Sequence, residues 1–484
     1  MDSDRQKWFV LGTTALGAFM GAMMFTSVNV ALPSLVTTFE TSFNVVQWVV
    51  LAYLLATGTL LLIVGRLADM LGKKTLYLLG YLIFTVGSLL CALAPGIYTL
   101  IIFRAIQGFG SAFLTALGLA IITDTFPANE RGRAIGINGS ILSTGIVIGP
   151  TLGGLLIDAF SWRWIFFLAV PLGVAGTLLA RRFIEPYEPQ EAQRFDLPGA
   201  FTLFLSLLTL LLALTVGQDL GFDDPIIIGL FVASAVLTVL FIVIELRVKD
   251  PVLDLRLFRS TQLTLGLVTG FLTFITISGT IFLMPFYLSN VLGYSPRNVG
   301  LLLSVVPLAL VFTAPLAGTL ADRFGERPVT VVGLIFLVIG YFTVSTLTVD
   351  TNGLGYVLRF LPIGLGMGVF QTPNNSAIMG AVPSNFSGVA GGLLALTRTL
   401  GQSAGIAVLG TWWAARVFTR TSETLTDATL AAGAVQVAAL RDMFWVIQGM
   451  IVFALVLVLW DVYLRWRKAR VAESKEGKPA VSSD

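Results

Sequence analysis

Long apolar runs recur along almost the whole of this 484-residue chain, and they limit the possible folds more than any other feature. A run of about 18 or more apolar residues is long enough to cross a lipid bilayer as a helix. Hydrophobic residues make up 56% of the chain and charged residues only 12%, whereas soluble proteins carry about 25% charged residues. Because the runs are continuous rather than alternating, they predict membrane-spanning helices and not a membrane β-barrel.

The pattern predicts fourteen spans and an all-α membrane protein. The loops on the side of the N-terminus contain 22 Lys and Arg residues, and the loops on the other side contain five. Because basic loops stay on the cytoplasmic side, we expect a multi-pass protein of the plasma membrane with both termini in the cytoplasm. The predicted spans are residues 8–31, 44–64, 75–94, 98–122, 134–158, 164–181, 197–216, 225–244, 262–288, 298–318, 328–348, 353–377, 388–412 and 443–465.

An internal repeat divides the chain. Three features recur at a nearly constant spacing of 253 to 256 residues, and such a repeat indicates two related halves. The equivalent pairs are residues 65–72 with 318–325 (both G-x-L-A-D-x-x-G), Arg104 with Arg359, and Pro127 with Pro383. We predict a six-helix half at 1–181, two inserted helices with linkers at 182–261, a second six-helix half at 262–466 and a disordered cytoplasmic tail at 467–484.

Several motifs are more specific. Residues 65–74 form a charged, glycine-bearing loop after the second span, and Arg104, Gln107 and Gly108 form an R-x-x-Q-G pattern in the fourth. The fifth span has the pattern G-x8-G-x3-G-P-x2-G-G, made by Gly136, Gly145, Gly149, Pro150, Gly153 and Gly154. With segments 162–166 and 251–258 and the fourteen spans, these motifs resemble those of the major facilitator superfamily over about residues 8–466. In particular, they are similar to its fourteen-helix drug:proton antiporter branch.

The resemblance implies that residues 65–74 form a latch on the cytoplasmic face, in which Asp69 holds an outward-open state until the protein opens inward. The same residues also fit a topology anchor, in which the cations set the orientation and Asp69 caps a helix. The predicted switch residues are Gly65, Asp69, Gly72, Lys73, Arg131, Arg133, Gly318 and Asp322.

The glycines of the fifth span predict close helix packing. Gly145, Gly149 and Gly153 are four residues apart and share one helix face, where small residues let two helices touch. Pro150 removes a backbone hydrogen bond and kinks the helix. The resemblance implies that this helix packs on its counterpart in the other half and seals one side against leakage. Ordinary helix packing is the alternative.

Two arginines within spans have two interpretations each, because an intramembrane charge is costly unless it meets water or a partner. Arg104 and Arg398 are either cavity arginines that couple substrate and proton movement or structural arginines bonded to backbone carbonyls. Further polar residues either line a largely apolar pocket for amphipathic solutes or join helices by hydrogen bonds. They are Tyr53, Gln107, Asn138, Gln371, Asn374, Asn375 and Gln402.

One residue departs from the pattern of the antiporter branch. An aspartate usually precedes the N-V-A-L-P run of its first helix, which here is Asn29–Pro33, but the aligned residue is Met24. The chain has no histidine, and we find no carboxylate near the middle of any predicted span. Two hypotheses follow. Proton coupling uses a peripheral group such as Asp69 or Asp124, and the cavity is electropositive, which favours neutral or anionic amphiphiles, including lipids, over cations.

We therefore expect a secondary transporter that exports amphipathic small molecules by alternating access with proton coupling. The alternatives are an exporter or flippase of lipids or anionic amphiphiles with weak or no coupling, an importer, and a non-transporting sensor or scaffold. The fifth-span signature argues against an importer, and the gating segments argue against a scaffold. Because the sequence has no recognisable nucleophile–base pair, metal cluster or phosphate loop, we expect no enzyme activity and no cofactor. We expect a monomer in the lipid bilayer that binds no nucleic acid.

Overall fold

The computed structural model describes residues 3–185, 196–248, 255–382, 387–421 and 425–476. The helix that contains Asp69 is described but the Asp69 side chain is not, so the predicted latch contact lies outside the described residues. All regular structure in the described ranges is helical. The α-helices are α1 (Ser3–Thr38), α2 (Phe43–Leu71), α3 (Lys73–Ala92), α4 (Ile97–Thr125), α5 (Ala128–Ala159), α6 (Arg163–Phe183), α7 (Leu197–Leu220), α8 (Pro225–Glu245), α9 (Thr261–Phe286), α10 (Pro296–Leu303), α11 (Val305–Phe324), α12 (Glu326–Val344), α13 (Gly353–Gly380), α14 (Ser387–Ala404), α15 (Gly410–Arg420) and α16 (Gly433–Glu476).

These helices form fourteen consecutive rods, which confirms the predicted all-α membrane fold. A short break at Ser304 separates α10 from α11, and a π-helical segment, Gly405–Leu409, joins α14 to α15, so each pair makes one rod. Thirteen rods contain a stretch long and apolar enough to span a membrane, and the fourteenth, α7, contains the shorter apolar run Pro198–Leu214. The last helix differs from the prediction, because it continues to Glu476 and makes residues 467–476 of the expected disordered tail helical. Residues 477–484 lie outside the described residues.

The repeated loop motif has one local geometry in both halves. Gly72 ends α2 and begins α3 at φ 87°, and Gly325 ends α11 and begins α12 at φ 88°. This left-handed backbone region is accessible to glycine without steric cost, which explains why the motif places glycine there. Each glycine therefore allows the chain to reverse between two spans within a single residue.

The two halves repeat the same helix pairs. In the first half α1 packs on α5, α2 on α4, and α3 on α4 and α6. In the second half α9 packs on α14, α11 on α13, and α12 on α13 and α16. The large apolar core runs through both halves and includes the inner faces of these helices. The second half is therefore built on the same plan as the first.

The inserted helices α7 and α8 form a hairpin beside the junction of the halves. Ser206 of α7 and Thr238 of α8 are joined by a 2.6 Å hydrogen bond between their hydroxyls. Leu203, Leu207 and Phe241 of the hairpin belong to an apolar cluster with residues of α9, α13 and α14. Helix α7 also packs on α2, so the pair borders the seam where α2 meets α14.

The bundle has two distinct faces. Helix α1 begins and α16 ends at one of them, where Gln262 at the start of α9 contacts Ala377 and Glu326, and Arg327 pairs with Asp461. We call this the basic face, since the predicted basic loops lie there, and the other end the opposite face. The two halves contact each other differently at these two faces.

Candidate functional site

At the opposite face, α5 and α10 pack backbone against backbone across the two halves. A Cβ added at Gly154 would lie 3.1 Å from the Cα of Gly300, and the reverse distance is also 3.1 Å. Beside this contact, the Thr151 and Ser304 hydroxyls are 2.7 Å apart, and the Ser304 hydroxyl donates to the Val147 carbonyl at 3.3 Å. Such an approach is possible only where neither helix has a side chain between the backbones.

A layer of aromatic side chains forms a second contact between the halves at the opposite face. The ring of Phe43, at the start of α2, lies 5.5 Å from Phe282, 5.0 Å from Phe286 and 5.0 Å from Trp413, measured between ring centroids. The carboxylate of Asp427 accepts a 2.5 Å hydrogen bond from the Phe43 backbone N–H. Since Phe43 belongs to the first half and the other four residues to the second, this layer joins the two halves.

The basic face contrasts with this closed end. The ion pairs that the structure gives there stay within one half: Lys7–Glu130 at 2.6 Å, Lys73–Asp124 at 2.5 Å and Arg327–Asp461 at 3.0 Å. All hydrogen bonds given between described residues of the two halves lie at the opposite face. The hydrogen bonds given between described residues of the two halves therefore lie at the opposite face, and the ion pairs given at the basic face do not join the halves.

The predicted switch residues mostly lie at the basic face. Arg131 and Arg133 are exposed; Arg131 donates to the Phe126 carbonyl at 2.9 Å, and the Arg133 guanidinium lies 5.4 Å from the centre of the Trp8 ring. Asp322 is also exposed, and a Cβ at Gly318 would meet only Thr372 within 4 Å. Lys73 binds Asp124, as described above. Gly65 and Asp69 lie on α2, and the structure does not describe the contacts of Asp69.

The fifth-span glycines divide between two partners. The face formed by Gly145, Gly149 and Gly153 packs on α1 of the same half, where the Ser27 hydroxyl donates to the Gly149 carbonyl at 2.7 Å. The adjacent face, with Gly154 and the Pro150 carbonyl, meets Gly300 of the other half. Gly136 lies near the basic face and would have no atom within 4 Å of an added Cβ. The contact across the halves thus depends on Gly154 rather than on the evenly spaced glycines.

The R-x-x-Q-G motif joins three helices of the first half. The Arg104 Nε donates to the Val49 carbonyl of α2 at 2.9 Å, and its Nη1 donates to the Gln107 side chain. The Gln107 amide donates in turn to the Ser88 hydroxyl of α3 at 2.7 Å. A Cβ at Gly108 would lie 3.0 Å from the Cβ of Ala56 on α2. Arg104 has no exposed surface, and its Nη2 is buried without a described partner.

Tyr53 connects this cluster to the junction of the halves. The Arg104 guanidinium carbon lies 4.2 Å from the centre of the Tyr53 ring, and the Tyr53 hydroxyl is 2.6 Å from that of Ser111. Arg398 of α14 is within electrostatic range of Tyr53 from the second half. Arg398 is only partly buried, and the structure gives it no hydrogen bond or ion pair with another described residue. The two intramembrane arginines therefore have different environments.

The remaining predicted cavity residues differ in burial and in bonding. Asn374 is buried and donates to the Gly266 carbonyl at 3.1 Å, which joins α13 to α9. Met24 is fully buried in the core of the first half, and Asn138 is 6% exposed. Gln371, Asn375 and Gln402 are partly buried on the helices of the second half, and their side chains have no described hydrogen bond.

Sequence reasoning missed two residues of the closed face. Gln47 is fully buried on α2 beside Gly410, and neither atom of its amide has a described partner. A lone glutamine in an apolar run is a detectable signal for it. Asp427 lies in a weakly patterned segment between spans, so nothing local indicated that its carboxylate would reach the start of α2.

Comparison with known proteins adds a family. The sequence model described as "Major Facilitator Superfamily" matches residues 14–406. The chain is 33% identical over 411 residues to the riboflavin transporter RibZ of Clostridioides difficile (strain 630), covering 85% of this chain and 89% of RibZ. It is 35% identical over 413 residues to the multidrug resistance protein Stp of Mycobacterium tuberculosis (strain ATCC 25618 / H37Rv), covering 85% of this chain and 77% of Stp. It is 30% identical over 396 residues to the multidrug transporter protein MdtP of Bacillus subtilis (strain 168), covering 82% of this chain and 73% of MdtP.

Two solved structures have a similar fold. A crystal structure of an auto-inhibited peptide transporter of the POT family superposes with a TM-score of 0.66 at 17% identity, covering 95% of this chain and 97% of that one. A bacterial homologue of the human lysosomal transporter Spinster, crystallised in an inward-facing and unoccupied conformation, has a TM-score of 0.65 at 17% identity, covering 94% and 96%. At such low identity the likeness concerns the fold alone.

Proposed function

Because this chain belongs to the major facilitator superfamily, we propose that it is a secondary active transporter that exports amphipathic small molecules by alternating access. It is a multi-pass membrane protein of a family that transports small molecules. Two of the relatives named above are a multidrug resistance protein and a multidrug transporter protein, which supports a broad amphipathic substrate range.

The asymmetry between the two faces carries the proposal. The halves meet at Gly154–Gly300 and around Phe43 at the opposite face, while their described ion pairs at the basic face stay within each half. A solute entering from the basic face would reach the level of Tyr53 and stop at the aromatic layer. Passage then requires the halves to rock about the middle of the bundle, which is the motion of alternating access.

The direction of transport follows from the orientation. The basic face is cytoplasmic, because basic loops are retained on that side of a plasma membrane. The protein works as a monomer, since each chain contains both halves of the path. A solute taken up from the cytoplasm or the inner leaflet is released on the outside.

Proton coupling uses a carboxylate outside the middle of the membrane. Met24 occupies the position of the usual aspartate, and because its thioether does not ionise it contributes no titrating group; it is also fully buried. Asp69 and Asp124 are at the basic face, and Asp124 contacts Lys73 at 2.5 Å. Weak or absent coupling, as in an exporter or flippase of lipids, is the alternative, and a non-transporting sensor is the alternative of another class.

Transport by the purified protein in proteoliposomes tests the proposal. Lipophilic neutral, anionic and cationic fluorophores and riboflavin are presented with and without an imposed pH gradient; riboflavin is included because one relative is named a riboflavin transporter. We expect protein-dependent movement of at least one amphipathic probe, faster with the gradient. Gly154→Val, which prevents the opposite face from closing, is expected to abolish probe movement when equal amounts of protein are reconstituted. Gly136→Ala, which has open space around it, is expected to leave probe movement unchanged. Absence of movement of every probe would reject the transporter, and movement without gradient dependence would reject coupling alone.

A further inference from the structure

Arg398 stands out among the charged residues within the membrane. It lies on α14, twelve residues into a rod that begins at Ser387 and ends at Arg420. Arg398 is partly buried, and its guanidinium carbon lies 5.9 Å from the centroid of the Phe274 ring. No hydrogen bond or ion pair joins it to another residue of the described part of the chain. By contrast, Arg104 donates to the Val49 carbonyl and to Gln107.

The position of Arg398 is at the junction of the two halves. The next residue, Thr399, touches α2, since a Cβ at Gly58 would lie 2.9 Å from its methyl group. The Phe274 ring of α9 lies 5.9 Å from the guanidinium carbon, and Tyr53 of α2 is within electrostatic range of it. Tyr53 is ten residues along α2 from Phe43, so this level is about 15 Å from the aromatic layer. The guanidinium therefore lies at the junction of the halves, on the basic-face side of the aromatic layer.

The charge of Arg398 has no local counterion. The described carboxylates are in loops or near helix ends, such as Asp124 and Asp158, and none is placed near the level of Arg398. A guanidinium at membrane depth is costly unless water or an anion balances it. Its planar fork of N–H donors matches the oxygens of a carboxylate, sulfonate or phosphate. An aromatic or aliphatic body attached to such a group would pack on the partly buried ring of Phe274.

We propose that Arg398 binds the oxyanion head of an amphipathic anion, whose apolar body packs between α2 and α9. The inference rests on the proposed transport function and specifies its substrate class. The solute is a monoanion with one apolar portion, either a soluble aryl or alkyl acid or an anionic lipid with one chain. Because the described region around the guanidinium contains no acid, organic cations of the same shape are excluded by repulsion.

Equilibrium binding to the full-length protein in detergent tests the charge requirement without any substitution. The probes are pyrenebutyrate, its neutral amide and the corresponding pyrenebutylamine, titrated by fluorescence. We expect the anion to bind at least about tenfold more tightly than the amide, because a charge-assisted fork replaces a neutral contact, and the cation to bind least. Equal affinity of anion and amide, or preference for the cation, would overturn the proposal.

Substitution then locates the effect. Arg398→Gln is expected to remove the difference between anion and amide while leaving amide binding unchanged, and Arg398→Lys to keep part of it. Arg359→Gln is the matched control, since Arg359 is the repeat-equivalent of Arg104 and bonds Thr346 and the Gly355 carbonyl near the opposite face. If Arg398→Gln does not fold, Arg398→Lys and Arg359→Gln still test the assignment. Arg398→Lys would then keep the full preference for the anion over the amide, and Arg359→Gln would lose it, if the anion binds elsewhere; that result would refute the assignment.

Transport measurements distinguish a failure of this inference from a failure of the proposed function. Vesicles loaded with pyrenebutyrate test a soluble acid, and vesicles containing labelled lysophosphatidylglycerol or, as its zwitterionic partner, labelled lysophosphatidylcholine test a lipid source. Movement of either anion faster than its partner in wild type but not in Arg398→Gln supports the proposal. Movement that is indifferent to probe charge would refute the role of Arg398 while leaving the transporter intact. No movement of any probe would refute the transporter itself.

Discussion

The backbones of Gly154 on α5 and Gly300 on α10 are in direct contact across the two halves of the molecule, so that a Cβ at either position would lie 3.1 Å from the Cα of the other. The contact lies at the opposite face, beside the Thr151–Ser304 hydroxyl pair. Any side chain at either site would have to separate the two helices, so both halves must have glycine here. The seal therefore depends on both positions being glycine.

Gly154→Val and Gly300→Val should each prevent the opposite face from closing. The added side chain meets backbone atoms, which have no room to move aside, and the halves must part. The measurement uses Gln47→Cys, labelled with a thiol reagent added from outside. In each valine variant the labelling of this cysteine is expected to rise about tenfold or more, and transport is expected to be lost. The native Cys91 is fully buried and gives little background. Gly136→Ala is the control, and unchanged labelling in both valine variants would contradict the proposed seal.

Asp427→Ala should loosen the same face more gently. Its carboxylate accepts from the Phe43 N–H at the start of α2, and an acid at a helix N-terminus stabilises it by about 0.3–2 kcal/mol. The closed population is therefore expected to fall by about two- to thirtyfold relative to the open one. The same labelling at position 47 measures this shift. Asp442→Ala, which breaks the pairs with Arg416 and Arg420 inside one half, should leave labelling unchanged; an equal effect of both would argue against a specific latch.

Lysine substitution should affect folding stability strongly at Arg104 and little at Arg398. Lysine at 104 loses the Nε bond to Val49 and the stacking on Tyr53, and it leaves Gln107 less well paired. We expect a loss of about 3–5 kcal/mol in folding stability, as for other buried charges deprived of their partners. Lysine at 398 breaks no described bond and should change the melting temperature little. Thermal unfolding in detergent measures both, and a fully stable Arg104→Lys would refute the structural role.

Met24→Asp should destabilise the protein rather than simply restore coupling. Met24 has no exposed surface in the sealed conformation, so the new carboxyl must be buried without a described partner, at a cost of several kcal/mol. The loss should be larger at pH 8 than at pH 5, because burying the anion costs more than burying the neutral acid. Melting curves at the two pH values check this, with Met24→Leu as the control. Substrate-dependent proton uptake by a stable Met24→Asp would instead indicate that this position becomes wet during transport.

The local sequence patterns predicted only part of the arrangement of the candidate site. The spacing of Gly145, Gly149 and Gly153 predicted a close helix contact, but it did not indicate that these glycines face α1 while Gly154 faces α10. Arg104 and Arg398 had the same two interpretations in the sequence, since both are single cations in apolar runs. Their difference depends on whether carbonyl and amide groups of neighbouring helices are within reach, as they are for Arg104, and this is a property of packing.

The linear chain was sufficient for the number of spans, the repeat and the family, because membrane insertion is governed by the length and polarity of each segment taken alone. The repeat also paired residues 65–72 with 318–325, and Gly72 and Gly325 at their ends share a left-handed backbone conformation, which is a local requirement. Tertiary structure decided which face is sealed, which glycine meets its counterpart, and that Asp427 caps α2 from 384 residues away. Those relationships depend on how the two halves are placed against each other. Their contacts join residues far apart in the chain, and no local sequence pattern encodes that placement.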